Sequence, residues 1–313
     1  MKILVTGSSG FIGGSFGRCA AISGHEVIGT SRSTRPDNWP GEYVQCDTTV
    51  AEISDTICRF KPDVVLHAAG TASVSASVDD PLADLHGATL SSANVLEGVR
   101  RSRSKPLIIL PSSAAVFGNP PALPVNEDAL LRPISPYGFH KAMTEMLARE
   151  YAECFGTTVV VCRLFSVFGP AQRRLLVWEL YKQFAGPDPM VWLDGTGTES
   201  RDFLYIDDVA TALLALSESH QPKDPGDCVV VNVGSGVETE VSTLAKELRK
   251  LVAPDKEIRF RGNVRKNDPL HWRADVARLK ALLPDWQPRT LTEGLALCVA
   301  DWRQAARLSK HGS

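Results

Sequence analysis

No apolar run in this 313-residue chain is long enough to span a bilayer, and the opening MKILVTG leads straight into a strand, without a basic leader, apolar core and cleavage site. Neither secretion nor membrane embedding is expected, and the sequence reads as cytoplasmic. An excess of one charge is missing too. Lys and Arg number 34 against 36 Asp and Glu, a formal net charge of −2, which provides no global field to draw the chain onto nucleic acid or an anionic membrane. The cysteines, at positions 19, 46, 58, 154, 162, 228 and 298, fall singly inside apolar patterns and form no Cys-x-x-Cys motif. The seven histidines are scattered, with no pair spaced to present two zinc ligands from one helix, so no metal is implied. Repeats and low-complexity tracts are absent as well. What remains, 43% apolar and 22% charged residues, is the composition of a soluble globular protein.

The apolar runs KILVTG, HEVIGT, YVQCD, DVVLHAAG, PLIILPSS and TVVVCRL are short, rich in β-branched residues and apolar almost throughout, as strands covered on both faces are. Helical periodicity fills most of the gaps, over 11–23, 50–60, 81–101 and 136–155. This alternation predicts an α/β fold, a doubly wound parallel sheet of Rossmann type with helices on both faces. After about Ser166 proline and glycine break the rhythm, and a helix over 207–217, a strand over 228–233 and a helix over 241–252 follow. The expected organisation is a dinucleotide-binding domain over 1–165, to which 203–234 returns, and a smaller C-terminal α/β substrate-binding domain made mainly of 166–313. The terminal LSKHGS is expected to fray.

The first strand runs into TGSSGFIGG. Gly7, Gly10 and Gly13 are spaced for a tight turn, close approach to a pyrophosphate and close packing of the following helix, whose N-terminus would face the phosphates. At the end of the second strand, where a carboxylate would favour NAD, stand Thr30, Ser31, Arg32 and Ser33, with no acid between Glu26 and Asp37. Arg32 suits the 2′-phosphate of NADP; a surface arginine after a strand is the plainer alternative. Asp47, in QCDTT, suits either the adenine edge or the N-cap of the helix beginning near Val50. The fifth strand ends in LPSSAAVFG, bringing Ser112 and Ser113 to the carboxyl edge of the sheet, and SPYGFHK places Tyr137 and Lys141 four residues apart on one face of the next helix. With Ser113 these two suit proton transfer coupled to hydride transfer. An ammonium near a phenol favours its ionised form and is expected to bring it from about 10 toward working pH.

Seven segments in order, TGSSGFIG (6–13), HAAGTASVSASVDDP (67–81), SSAAVFG (112–118), SPYGFHK (135–141), CRLFSVFGP (162–170), RDFLYIDDVA (201–210) and NVGSG (232–236), make the chain resemble an extended short-chain dehydrogenase/reductase of the nucleotide-sugar epimerase/dehydratase family. The resemblance implies NADP or NAD as cofactor and a nucleoside-diphosphate sugar as substrate. It implies that Tyr137 is the catalytic acid/base, that Lys141 tunes it and binds the nicotinamide ribose, and that Ser113 hydrogen-bonds the reacting sugar oxygen. Phe11, Ile12, Ala68, Ala69 and Gly70 would line the cofactor beside the three glycines, Arg32 and Asp47. Ser73, Ser113, Ser166, Arg201 and Arg265 would meet the substrate, the two arginines at its diphosphate. A homodimer built from the helices near 81–101 and 136–155 is also implied.

Several positions depart from the family pattern. Ala114 and Ala115 stand where dehydratases carry acidic residues, which removes the acid/base pair needed to expel water. Ser166 replaces an asparagine that touches substrate in many relatives, and Phe117 replaces a tyrosine. Arg173 and Arg174 fall near the expected substrate entrance. A C4 epimerase of nucleoside-diphosphate hexoses is the first expectation. An NADPH-dependent reductase of 4-keto-6-deoxy sugars is the alternative, favoured by Arg32 and by the likeness of GTSRS and LRPISPYG to GDP-4-keto-6-deoxymannose reductases. A protein that only binds the dinucleotide ranks third, because such proteins typically lack the tyrosine or the lysine.

Overall fold

The computed structural model describes residues 1–219, 226–263 and 269–311. Strands β1 (Lys2–Thr6), β2 (Glu26–Ser31), β3 (Glu42–Gln45), β4 (Val64–His67), β5 (Leu107–Ser113) and β6 (Val159–Leu164) alternate with helices α1 (Phe11–Ile22), α2 (Glu52–Phe60), α3 (Val74–Asp79), α4 (Pro81–Leu85), α5 (Ser91–Arg101) and α6 (Pro136–Phe155). The second part adds β7 (Ser166–Phe168), β8 (Met190–Leu193), β9 (Ser200–Tyr205), β10 (Cys228–Val233), β11 (Glu238–Glu240) and β12 (Glu257–Phe260), with helices α7 (Leu175–Ala185), α8 (Ile206–Ser219), α9 (Val241–Val252), α10 (Ala277–Leu282) and α11 (Leu291–His311).

Seven strands among the described residues form one parallel sheet in the order β3-β2-β1-β4-β5-β6-β10. This is the doubly wound sheet expected from the sequence. Successive residues of its strands point to opposite faces and feed two cores. Ile3, Val5, Ile109, Val160 and Cys162 pack toward α1 and α8, while Leu4, Ile108, Leu110, Val159 and Val161 meet Ile53 and Ile57 of α2 and Val95 and Leu96 of α5. Burial on both faces is why these strands read as continuous apolar runs. Strand order reverses between β1 and β4, which opens a crevice at their carboxyl ends.

The remaining strands form a three-stranded sheet, β11-β9-β7, and a β12-β8 pair. Helices α7, α9 and α11 cover them around Phe168, Leu180, Phe184, Leu244, Leu248 and Leu295. Two local devices set helix starts. Ser135 caps α6, its Oγ accepting from Gly138 N at 3.2 Å, with Pro136 in the first turn. Ahead of α11, Thr290 Oγ1 accepts from Glu293 N at 3.3 Å while the Glu293 carboxylate accepts from Thr290 N at 2.8 Å, a capping box. So founded, α11 stays helical to His311 and takes in most of the tail expected to fray. The single helix expected over 81–101 is instead α4, a π-helical turn (His86–Leu90) and α5. The widened turn lies where this segment packs on α6. No helix of the described residues is long and apolar enough to cross a membrane.

Candidate active site

Three loops meet at the crevice. The first is the glycine turn. Gly7 has φ +67, and a Cβ there would stand 2.6 Å from both Ala68 O and Ala69 N, so the turn sits directly against the segment leaving β4. Gly10 N donates to Gly7 O at 2.8 Å, and no side chain caps α1, whose first turn holds Phe11, Ile12 and Gly13. The amides of that turn lack intrahelical acceptors and are free to meet an anion. A Cβ on Gly13 would lie 2.4 Å from Gly7 O, so only glycine allows α1 to approach this closely. Gly70 continues the second loop, exposed, with φ +135. A turn with glycine at positions 7, 10 and 13, at the dipole-positive end of a helix, fits the pyrophosphate of a dinucleotide, which is the group the sequence implies.

At the ends of β2 and β3 the hydroxyls of Ser9, Ser31 and Tyr43 form a chain, Ser9 Oγ to Ser31 Oγ at 3.0 Å and Ser31 Oγ to Tyr43 Oη at 2.5 Å. Arg32 lies beside it with an exposed side chain, its carbonyl accepting from Gln45 Nε2. Asp47 accepts from Thr49 N and Oγ1, both at 2.8 Å, and these bonds, with the nearby Arg32 charge, hold its carboxyl below the usual range. It is not the N-cap. Helix α2 begins at Glu52 with Ala51 as its cap, because the Asp47 side chain is committed to its own turn.

The third loop carries the candidate reactive groups. Ser113 ends β5, and its Oγ accepts from Ala115 N at 3.2 Å to start a 3₁₀ turn, Ala114–Phe117. Helix α6 starts alongside. Gly138 sits where a Cβ would meet Ala115 O at 2.6 Å, and this contact brings Tyr137 next to Ser113. Tyr137 N donates to Ser77 Oγ at 3.0 Å. Lys141 Nζ lies 5.9 Å from the Tyr137 ring centre and donates to Pro111 O at 3.1 Å. Ser113, Tyr137 and Lys141 therefore converge. The phenol, however, does not move as the sequence led one to expect. Burial pushes it up, the neighbouring Ser113 hydroxyl opposes that, and the Asp84 carboxylate adds to the rise. Burial also brings Lys141 down to about 8, with Asp84 and Glu145 holding it up. Desolvation is the largest cause of both shifts.

Behind this pair lie groups the motifs did not single out. Glu145, one turn beyond Lys141, is buried, accepts from Ser112 Oγ at 2.5 Å and pairs with Arg163 of β6, Nη2 to Oε2 at 2.8 Å. The spacing 137, 141, 145 marks one face of a helix, so Glu145 was visible in the sequence in principle. His67 of β4 is buried between Thr6 Oγ1 (2.8 Å) and Ser92 Oγ (3.1 Å) and is held neutral, pushed down to about 3 by burial and by Lys141.

Toward the second part, Ser73 caps α3, its Oγ accepting from Ala76 N at 3.2 Å. Ser166 opens β7, part-exposed. Arg201 of β9 lies over Trp272, 5.3 Å from the ring centre, with Nη1 donating to the carbonyls of Ser200 and Leu270. Arg173 donates to Pro170 O and covers Trp178, and Arg174 is the exposed N-cap of α7. Arg265 falls outside the described residues.

Residues 3–234 match the NAD dependent epimerase/dehydratase family. The chain is 29% identical to a UDP-glucose 4-epimerase of Mycolicibacterium smegmatis, over 98% of this chain and all of that protein. A solved UDP-glucose 4-epimerase of Thermotoga maritima, with UDP-glucose bound, is 28% identical and superposes with a TM-score of 0.86 over 98% of this chain and all of that one. A UDP-glucuronic acid 4-epimerase of Bacillus cereus, in complex with UDP-glucuronic acid and NAD, is 26% identical, with a TM-score of 0.85 over 97% of this chain and all of that one.

Proposed function

This chain belongs to the NAD dependent epimerase/dehydratase family, and we propose that within it the protein is a UDP-hexose 4-epimerase. The observation that carries this reading is the convergence of Ser113, Tyr137 and Lys141 beside a glycine turn fitted to a dinucleotide, in a fold that solved 4-epimerases share from end to end. A nicotinamide dinucleotide held at the turn of Gly7, Gly10 and Gly13 would supply reversible hydride chemistry at C4. Tyr137 takes the proton of the C4 hydroxyl and gives it back after the keto sugar has turned its other face. Ser113 holds the C4 oxygen. Lys141, anchored on Pro111 O, places positive charge next to the phenol and would bind the nicotinamide ribose. Arg201 meets the diphosphate, with Ser73 and Ser166 on the sugar side. Ala114 and Ala115 are buried and carry no ionisable group, so the turn after Ser113 offers nothing to expel water from the sugar.

Arg32, exposed and without an acidic residue between Glu26 and Asp37, supports acceptance of NADP as well as NAD. Phe139, Met143 and Met146 line the exposed side of α6 beside Leu82 and Leu90, an apolar face suited to a second copy of the chain. A reductase of 4-keto-6-deoxy sugars is the second reading, and Arg32 favours it.

The test is to incubate the purified protein with UDP-glucose, follow the anomeric protons by NMR, and identify the dinucleotide released on denaturation. Interconversion with UDP-galactose, retained cofactor and loss of turnover in Tyr137→Phe are expected. Failure to interconvert any UDP-hexose, with net NADPH consumption on a 4-keto sugar instead, would replace this reading with the reductase.

A further inference from the structure

Next to the Tyr137–Lys141 pair lies a buried anion with no part in the chemistry above. Asp84 of α4 is 2% exposed. One carboxylate oxygen accepts from Thr71 Oγ1, and the other lies 2.5 Å from His140 Nδ1. A buried carboxylate held by a hydroxyl and an imidazole, without a guanidinium or ammonium in its ion pair, is costly to desolvate, so its charge acts on what surrounds it. Glu145, the other buried acid nearby, is different, since Arg163 and Ser112 occupy it.

The partners of Asp84 connect the two halves of the site. Thr71 follows Gly70, in the loop that packs against the glycine turn. His140 stands on α6 between Tyr137 and Lys141. Asp84 thus joins the loop beside the cofactor turn to the N-terminal end of α6 through His140, and Ser77 of α3 holds that end through Tyr137 N.

We propose that Asp84, held by Thr71 and His140, is a positioning residue for the proposed catalytic pair, tying the N-terminal end of α6 to the loop beside the cofactor turn. The charged and titratable groups facing this centre are Tyr137, His140, Lys141 and Glu145 on α6 and His67 on β4. Among them Asp84 is the leading support for charge on Lys141, ahead of Glu145, and it also raises the Tyr137 phenol. Removing its charge therefore lowers both, and both limbs of a pH profile move toward acid.

This inference rests on the role proposed for Tyr137, so the test pairs a measurement that needs no substrate with one that does. The phenolate absorbance of Tyr137, taken as the difference from a Tyr137→Phe background, is titrated with and without Asp84→Asn. The midpoint is expected to move downward. In turnover of UDP-glucose, Asp84→Asn is expected to bring the alkaline limb of kcat down by about one unit and to reduce kcat about tenfold, with KM little changed. An unmoved titration together with a parental pH profile overturns the proposal while leaving the epimerase reading intact. A shifted titration in a protein that turns over no UDP-hexose removes the epimerase reading and leaves the electrostatic role standing. Should Asp84→Asn fail to fold, His140→Leu, which strips a holder from Asp84, is expected to lower kcat about tenfold, and His140→Asn, which restores a donor, to recover most of it. Equal kcat for these two variants would overturn the proposal as well.

Discussion

Adjacent glycines in α1 should respond in opposite ways to alanine. A Cβ on Gly13 would stand 2.4 Å from Gly7 O, 2.8 Å from Gly7 C and 3.2 Å from Ser8 Cα. Ordinary contact at roughly 3.5 Å therefore requires a retreat of about 1 Å. The glycine turn cannot supply it, because Gly7 is itself backed against Ala68 and Ala69. The N-terminus of α1 must move away instead. Overpacking of this kind destabilises a fold by about 1–3 kcal/mol. Displacing the helix end from a pyrophosphate forfeits up to about 2 kcal/mol, which is roughly ten- to thirtyfold in affinity. At Gly14 the nearest atoms to a new Cβ are Ser8 O at 3.3 Å and Arg18 Nη1 at 3.4 Å, a contact that small adjustments absorb. Alanine also gains about 1 kcal/mol of helix propensity over glycine there. Titration of NADH by nicotinamide fluorescence, beside a thermal melt, reads both effects. Gly13→Ala should bind at least tenfold more weakly than Gly14→Ala; equal affinities would refute the assignment of the α1 N-terminus to the cofactor.

Three further outcomes are expected. Lys141 keeps its charge below about 8 and loses it above, so turnover of UDP-hexose should decline as pH rises through that value, and Lys141→Met should abolish that limb while reducing kcat on the order of 100-fold. Glu145→Gln leaves Arg163 buried with half its pair and should cost about 3–5 kcal/mol in urea unfolding, whereas Glu145→Leu combined with Arg163→Met should regain most of the loss. His67 is neutral in the fold, with its value lowered from 6.5 to about 3, so the unfolded chain binds the extra proton and stability is lost as pH falls through that interval. Near pH 5 the loss is about 2 kcal/mol, and His67→Gln, measured by denaturant midpoints across the same range, should flatten the slope.

What the sequence displayed well is what depends on neighbouring residues. β-branched runs marked β1, β2, β4, β5 and β6 because these are buried on both faces, and the bounds 136–155, 228–233 and 241–252 coincide with α6, β10 and α9. Ser135 and Pro136 mark the start of α6 in plain text, and Thr290 with Glu293 mark that of α11 just as openly. The break in the 81–101 segment was not legible, because periodicity cannot show one extra residue in a turn. Asp84 was hidden for a different reason. It stands among exposed Asp80, Leu82 and Ala83 and reads as one more solvated acid until His140, 56 residues away, closes over it. The spacing of Tyr137 and Lys141 fixed which face of α6 they share, yet the direction in which each ionises depends on Asp84, Glu145 and His67, contributed by other turns and other elements. A lysine one turn from a tyrosine favours the ionised phenol, but burial of both groups pushes each toward neutrality, and the Asp84 carboxylate supports the charge that Lys141 keeps. The placement of the Tyr137–Lys141 pair is thus a property of one helix, whereas the pH at which each group ionises is a property of the fold.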